Sequence, residues 1–307
     1  MTDTVLQTRG LTKYYGKDLA LDHLDLKIPK GCICGFIGRN GAGKTTAIKL
    51  MLGLLKPTAG SASLLGCDCG ELTPAIRQRI GYVTEGHRLI RWMSIAQLEK
   101  LQRAFYPKQW DRKLFADMIE YFGLSKRKKI KHLSNGQRAQ VSLALTLAPN
   151  PEFLIMDDPT LGLDPAIRRQ FLEGMIKLIM SENRTILFSS HILADVERVA
   201  NRIVVLDKGV LRANCTLEEF RSSIKRFKFS YKEKVPANIE IDGLLRCRSF
   251  ENQLELTLVG TAEAKIEQWA SYSGAESYQP VIMNLEDQFI EYTESAGKKR
   301  LFQWETA

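Results

Sequence analysis

The stretch Gly38-Arg39-Asn40-Gly41-Ala42-Gly43-Lys44-Thr45 satisfies the pattern G-x-x-x-x-G-K-[ST] and constrains the fold of this 307-residue chain more than any other. The apolar run Cys32–Ile37 precedes it. Ile48, Met51, Leu52 and Leu55 follow at helical spacing, until Pro57 and Gly60 end the pattern. A strand, a glycine loop and a helix in this order turn backbone N–H groups inward and add the positive end of a helix dipole. The loop from Gly38 to Thr46 is therefore expected to hold the phosphates of a nucleoside triphosphate, ATP. Lys44 would reach the β- and γ-phosphates, and the Thr45 hydroxyl would ligate Mg²⁺.

Strand-like runs continue at Phe153–Met156, Thr185–Phe188 and Ile203–Leu206. Between them Phe171, Leu172, Met175, Ile176 and Ile179 mark one face of a helix over Arg168–Met180. Alternating strands and helices predict an α/β fold around a largely parallel sheet. The run Phe153–Met156 ends in Asp157 and Asp158, at the strand end where such sheets bind ligands. Asp157 is placed to hold Mg²⁺ through water, and Asp158 to polarise the attacking water. From about Ile76 to Ile130 the chain is aromatic and helical, which predicts a helical subdomain at about 85–150. After Gly209 the pattern changes. Candidate strands at Phe227–Tyr231, Leu254–Leu258 and Val281–Met283 and a candidate helix at Ala262–Ala270 predict a small α+β domain. The expected division is 1–220 and 221–307, joined near Leu217–Arg226.

The 44 basic residues exceed the 35 acidic ones, giving a net charge of +9. The bland reading is a solvated surface with a basic bias. The densest run, Lys126–Lys131 (KRKKIK), is weak evidence for nucleic acid, and no nucleic-acid partner is expected. Cys32, Cys34, Cys67, Cys69, Cys215 and Cys247 include two C-x-C pairs, but structural zinc sites favour two to four intervening residues. All six read as reduced thiols, mostly in the core. No apolar run approaches the roughly 18 to 20 residues of a membrane-spanning helix, and the first residues, MTDTVLQTRG, lack the apolar core of a secretion signal. A cytoplasmic protein is expected, held at the membrane by a partner.

Leu133-Ser134-Asn135-Gly136-Gln137 begins a helix with the capping-box residues Ser134 and Gln137. Here the chain resembles the ATP-binding subunits of ABC transporters, whose signature is L-S-G-G-Q; Asn135 stands for one glycine. Tyr15, in Lys13-Tyr14-Tyr15-Gly16, is similar to the family's adenine-stacking aromatic. Gly38–Thr45 is similar to its Walker A loop and Asp157 to its Walker B aspartate. Leu163-Asp164 resembles its inter-site loop, and His191 its γ-phosphate switch histidine. The resemblance covers about residues 1 to 215. It implies head-to-tail pairing, as a homodimer or with a related subunit. ATP would lie between Walker A of one subunit and Ser134, Asn135, Gly136 and Gln137 of the other. It also implies separate integral membrane permease subunits, docked on Glu85–Trp110. The C-terminal region, through Asn284-Leu285-Glu286-Asp287-Gln288-Phe289, resembles the accessory domain of bacterial drug- and peptide-type exporters.

Two positions depart from that family pattern. Its catalytic glutamate is Asp158 here, with a reach shorter by about 1.5 Å, and a misplacement of about 1 Å costs on the order of 100-fold in rate. Slow hydrolysis is expected, with a gain on Asp158→Glu. Its glutamine near Mg²⁺ is Glu85, which could ligate Mg²⁺ and is expected to couple ATP state to the permease. The alternatives are a non-transport ABC ATPase and a slow-turnover, nucleotide-dependent regulator.

Overall fold

The computed structural model describes residues 4–180 and 184–295. These form two compact units that divide between Leu211 and Arg212, earlier than the division expected at 220.

In the first unit, β1 (Thr4–Tyr15), β2 (Asp18–Leu24) and β3 (Lys27–Pro29) lead to β4 (Ile33–Ile37) and the helix α1 (Lys44–Met51). Next come β5 (Ala59–Leu64), β6 (Cys67–Asp68), α2 (Pro74–Arg77) and β7 (Ile80–Val83). Three helices follow, α3 (Ile95–Phe105), α4 (Arg112–Tyr121) and α5 (Asn135–Leu147). The chain then runs through β8 (Phe153–Met156), α6 (Pro165–Met180), β9 (Thr185–Ser190), α7 (Leu193–Val199), β10 (Arg202–Asp207) and β11 (Val210–Thr216).

Two sheets result. One has the order β11-β10-β4-β9-β8-β7, and the pairings from β10 through β7 are parallel. Its inner strands β8 and β9 are buried on both faces, which is why Phe153–Met156 reads as an unbroken apolar run. Gly35 in β4 admits α7: a Cβ there would lie 2.3 Å from Val196 Cγ1. The other sheet, β2-β1-β5-β6 with β3 also on β1, is antiparallel. It was not expected. The sequence of β1, TVLQTRGLTKYY, breaks its alternation at register shifts, so the period of two is lost. Leu6, Leu11, Leu24 and Leu64 of this sheet share one core with Phe36, Ile48, Met51 and Phe153. Cys32, Cys34 and Cys69 lie in that core as free thiols.

Between β7, which belongs to the parallel sheet, and β8 the chain forms the helices α3, α4 and α5. Phe115 and Phe122 are buried there, whereas Trp92, Phe105 and Tyr121 are exposed. In α6, Phe171 and Leu172 are buried and Ile176 is half-buried; the side chains of Met175 and Ile179 lie outside the described residues.

The second unit continues with α8 (Leu217–Ser223), β12 (Ile224–Ser230), β13 (Leu244–Phe250), β14 (Gln253–Val259), α9 (Glu263–Ser273), β15 (Ser277–Val281) and α10 (Leu285–Ser295). Its antiparallel sheet has the order β13-β14-β12-β15. The expected joint at Leu217–Arg226 is instead α8 and the start of β12, capped by a Thr216/Glu219 capping box. The expected strand at Val281–Met283 ends at Val281. Phe227, Phe229, Leu254 and Leu256 pack under Ile266 and Trp269 of α9. Gln288 of α10 donates to the carbonyls of Arg221 (2.8 Å) and Ile224 (2.9 Å). The residues Leu285, Gln288 and Phe289 are buried, so the LEDQF stretch is the packed face of a helix.

Candidate functional site

Four adjacent strands, β4, β9, β8 and β7, deliver the site segments from their C-terminal ends. Ile37 is level with Ser190, Phe188 with Met156, and Met156 with Val83. The segments that follow are the Gly38 loop, His191, Asp157-Asp158 and Thr84-Glu85.

The loop closes as its glycines require. Gly41 has φ 78° and Gly43 φ 102°, left-handed values that L side chains rarely adopt. A Cβ at Gly43 would meet Ala20 O of β2 at 2.5 Å, and one at Gly38 would meet Leu206 O at 2.4 Å. Gly43 caps α1 with no side chain, so no side-chain oxygen takes the first N–H groups of the helix. Arg39, Asn40 and Gly41 are exposed, Ala42 is buried, and Thr45 and Thr46 are half-buried. Lys44 is 6% exposed. Its ammonium donates to Gly38 O at 2.7 Å and Arg39 O at 3.4 Å. Burial pulls its pKa below the ordinary lysine value, against the charges of Asp158, Asp157 and Glu85.

Asp157 is 1% exposed. Its Oδ1 accepts from Thr45 Oγ1 (3.2 Å) and Ser189 Oγ (2.8 Å), while Oδ2 is buried without a partner among the described residues. Burial pushes this carboxyl above the usual range, and the two hydroxyls oppose the shift. A buried carboxylate oxygen with no donor among the described residues, beside the Thr45 hydroxyl, offers the oxygen ligands that a hard cation takes. Asp158 sits at φ 43°, a region that Asp tolerates better than most residues. Its Oδ1 accepts from His191 N at 3.3 Å and pairs with His191 Nδ1 at 3.0 Å. A carboxylate oxygen accepts, so this contact assigns the proton to Nδ1.

Sequence reasoning gave no role to Ser189. This fully buried hydroxyl donates to Asp157 Oδ1 and accepts the Asp158 N–H at 2.8 Å, so one side chain pins both acids. Only its place one strand away from β8 assigns it this position; a serine at a strand end carries no other signal. Ser189→Ala is expected to lower ATP turnover about tenfold and raise the Mg²⁺ concentration needed for half-maximal rate, and Ser189→Thr to restore both. A hydrogen bond to a charged group contributes about 1.5–3 kcal/mol. Titration of steady-state ATPase with Mg²⁺ checks this.

Glu85 is exposed at the end of β7. It lies near enough to Tyr82 to join Asp157 in raising that phenol, which burial first pushes up, to about 12. Tyr15, 48% exposed, ends β1 with Lys13 Nζ 5.5 Å from its ring centroid. The hairpin it begins leads into β2, whose Ala20 touches the loop at Gly43. Asp164 caps α6 by accepting from Ile167 N at 3.0 Å.

Ser134 and Gln137 form the expected capping box of α5, each side chain on the other's backbone N–H at 3.2 Å. Lys128 Nζ donates to Gln137 Oε1 at 3.2 Å, and Arg138 holds Asn135 Oδ1. Gly136 lets α6 approach: a Cβ there would stand 2.8 Å from Ile167 Cγ2. Ser134 and Asn135 are exposed. The hydrogen bonds of Ser134–Gln137 run within α5 and to Lys128, not to the phosphate loop.

A glycine loop with a buried lysine after β4, two acids after β8 and a histidine after β9 define a P-loop nucleotide-binding site. Comparison with known proteins narrows this. The family model described as ABC transporter matches residues 21–161. A daunorubicin/doxorubicin resistance ATP-binding protein of Streptomyces peucetius is 32% identical over 225 residues, covering 71% of this chain and 67% of that one. A bacitracin transport ATP-binding protein of Bacillus licheniformis is 31% identical over 226 residues, covering 73% and 74%. A solved ATP-binding subunit of an ABC transporter superposes with a TM-score of 0.64 at 27% identity, covering 71% of this chain and 92% of that one. The dimeric structure of a bacterial ABC transporter cassette superposes at 0.62 with 25% identity, covering 69% and 98%. This chain belongs to the ABC transporter family, as one of its ATP-binding subunits and an ATPase. Among the described residues no helix is long and apolar enough to cross a membrane.

Proposed function

We propose that this chain drives an exporter: two such subunits pair head to tail, bind ATP between them, and pass the work of hydrolysis to separate membrane permease subunits. One observation carries the pairing. Ser134 and Asn135 are exposed at the N-terminus of α5, and their bonds run within α5 and to Arg138, not to the phosphate loop. A positive helix end suits an anion, and the phosphate loop of a second subunit would supply one. Export is supported by relatives named for drug resistance and bacitracin transport. The stretch Glu85–Trp110, exposed at Phe105, suits a permease contact. Such a partner would hold the chain at the inner face of the membrane.

In the proposed mechanism, the loop N–H groups and Lys44 bind the phosphates, and Tyr15 stacks on the base. Thr45 and Asp157, with Glu85 beside them, would hold Mg²⁺. When bound, Mg²⁺ neutralises charge on the β- and γ-phosphate oxygens. Asp158 orients the attacking water and takes its proton. His191 grips Asp158 Oδ1 from two nitrogens, which leaves Oδ2 unengaged among the described residues and fixes the direction in which it points.

Two experiments test this reading. The Asp158→Asn protein with ATP and Mg²⁺ is expected to elute as a dimer on gel filtration, and Ser134→Arg to return it to a monomer. A nucleotide-loaded monomer would sink the pairing. Asp158→Glu is expected to raise turnover by on the order of 10- to 100-fold, since a misplacement of about 1 Å costs that much. It is also expected to lower Tm, because a longer side chain suits φ 43° less well. A wild type already as fast as the variant would instead mean that the left-handed turn brings the aspartate into place. Wild-type turnover near zero together with a nucleotide-dependent dimer would favour the regulator.

A further inference from the structure

The basic run Lys126–Lys131 touches the nucleotide-site residues only through Lys128 on Gln137, and the fold gives the rest of it a defined surface. Leu124 and Ile130 are buried anchors, so Arg127, Lys128, Lys129 and Lys131 are turned out and exposed. Backbone bonds tie this segment to the entry of α3. Ile95 N donates to Lys128 O, Ala96 N to Lys126 O, Ile130 N to Met93 O, and Lys131 N to Arg91 O, at 2.9–3.1 Å. Ser94 and Lys129 form an isolated antiparallel bridge. This ladder brings Arg88 and Arg91, also exposed, alongside the basic run. Neither 88–96 nor 124–132 contains an Asp or Glu. Two of these cations are engaged locally, Lys126 with Glu99 at 3.7 Å and Lys128 with Gln137. The side chains of Arg88, Arg91, Arg127, Lys129 and Lys131 have no hydrogen bond or ion pair among the described residues. Trp92, 66% exposed, and Ile90 lie within the patch.

We propose that this patch binds an anionic phospholipid surface. Clusters of four to eight cations beside a membrane are attracted to anionic headgroups, each contributing about fivefold in partitioning. An indole and an aliphatic side chain among them suit the headgroup boundary. Single-stranded nucleic acid is instead gripped by aromatic rings on which successive bases stack, and the patch offers one such ring. The inference extends the membrane reading above. Its test needs no permease, so the two can fail separately.

The full-length protein is sedimented with vesicles of phosphatidylcholine alone and of phosphatidylcholine with phosphatidylserine. Binding is expected only to the second, falling as NaCl rises. Arg127→Glu, Lys129→Glu and Lys131→Glu together are expected to weaken it by on the order of 100-fold or more, with ATPase unchanged. Arg88→Gln with Arg91→Gln, on the other segment, should weaken it by over tenfold and serves if the triple variant fails to fold. Lys30→Glu, Lys108→Glu and Lys234→Glu carry the same charge change elsewhere and should cost only a few-fold. Equal losses in the two triple variants would mean a general charge effect and overturn the proposal. So would binding of an oligonucleotide, lost in the patch variant, by a protein that ignores both vesicles.

Discussion

Asparagine in place of Asp158 is expected to lower steady-state ATP hydrolysis by on the order of 10²- to 10⁴-fold, the range a positioned general base contributes, while ATP binding is retained. Asparagine is nearly isosteric, so its amide oxygen can still accept the 3.0 Å contact from His191 Nδ1. Its backbone N–H can keep Ser189 Oγ at 2.8 Å. Asparagine also tolerates φ 43° at this turn. The exchange therefore removes the proton acceptor and little else. Single-turnover hydrolysis and equilibrium ATP binding, measured on the same protein, check the two halves. A loss of less than tenfold would show that Asp158 is not the base. A parallel loss of binding would show that the turn itself had collapsed.

Asp157→Asn is expected to move stability and function in opposite directions. The Asp157 carboxylate is buried, and one of its oxygens has no partner among the described residues. Its pKa lies above the usual range because burial disfavours the charge. The neutral amide keeps an oxygen for Thr45 and Ser189 and removes that charge. A gain of about 1 kcal/mol corresponds to a Tm higher by about 2–4 °C for a unit of this size. With ATP and Mg²⁺ the order should reverse. Wild type gains stability from the bound metal and nucleotide, whereas the variant should gain the same with or without Mg²⁺. Melting curves of the two proteins, empty, with ATP, and with ATP and Mg²⁺, decide the matter. A variant less stable when empty, yet still stabilised by Mg²⁺, would remove Asp157 from the metal site.

The burial of Asp157, with one oxygen unpartnered among the described residues, thus fits a group that serves a bound cation. Lys44 is buried too, its ammonium on the carbonyls of its own loop. Both are buried charges with shifted pKa values, and such groups cluster at functional sites.

The sequence alone was enough for the elements whose local chemistry is complete in itself. The loop from Gly38 to Thr45 needs left-handed glycines and a helix start, and both are written in the octet. Phe153–Met156 reads as a buried strand because both faces are covered. Ser134 and Gln137 cap α5 across one turn. What sequence could not supply was any pairing between segments far apart in the chain. The antiparallel sheet of β1 and β5 escaped because its register shifts break the alternation. β13 escaped because it lies at a sheet edge, and from Cys247 to Phe250 it is exposed. The division between the two units fell within β11, where composition does not change. The role of Ser189 is of the same kind: β9 pairs with β8 in the sheet, although the two are separated in sequence by all of α6. Local hydrogen-bond geometry and apolar period determined the phosphate loop, the acids and the signature cap. Long-range strand pairing decided which hydroxyl joins the two acids and which cations meet in one patch.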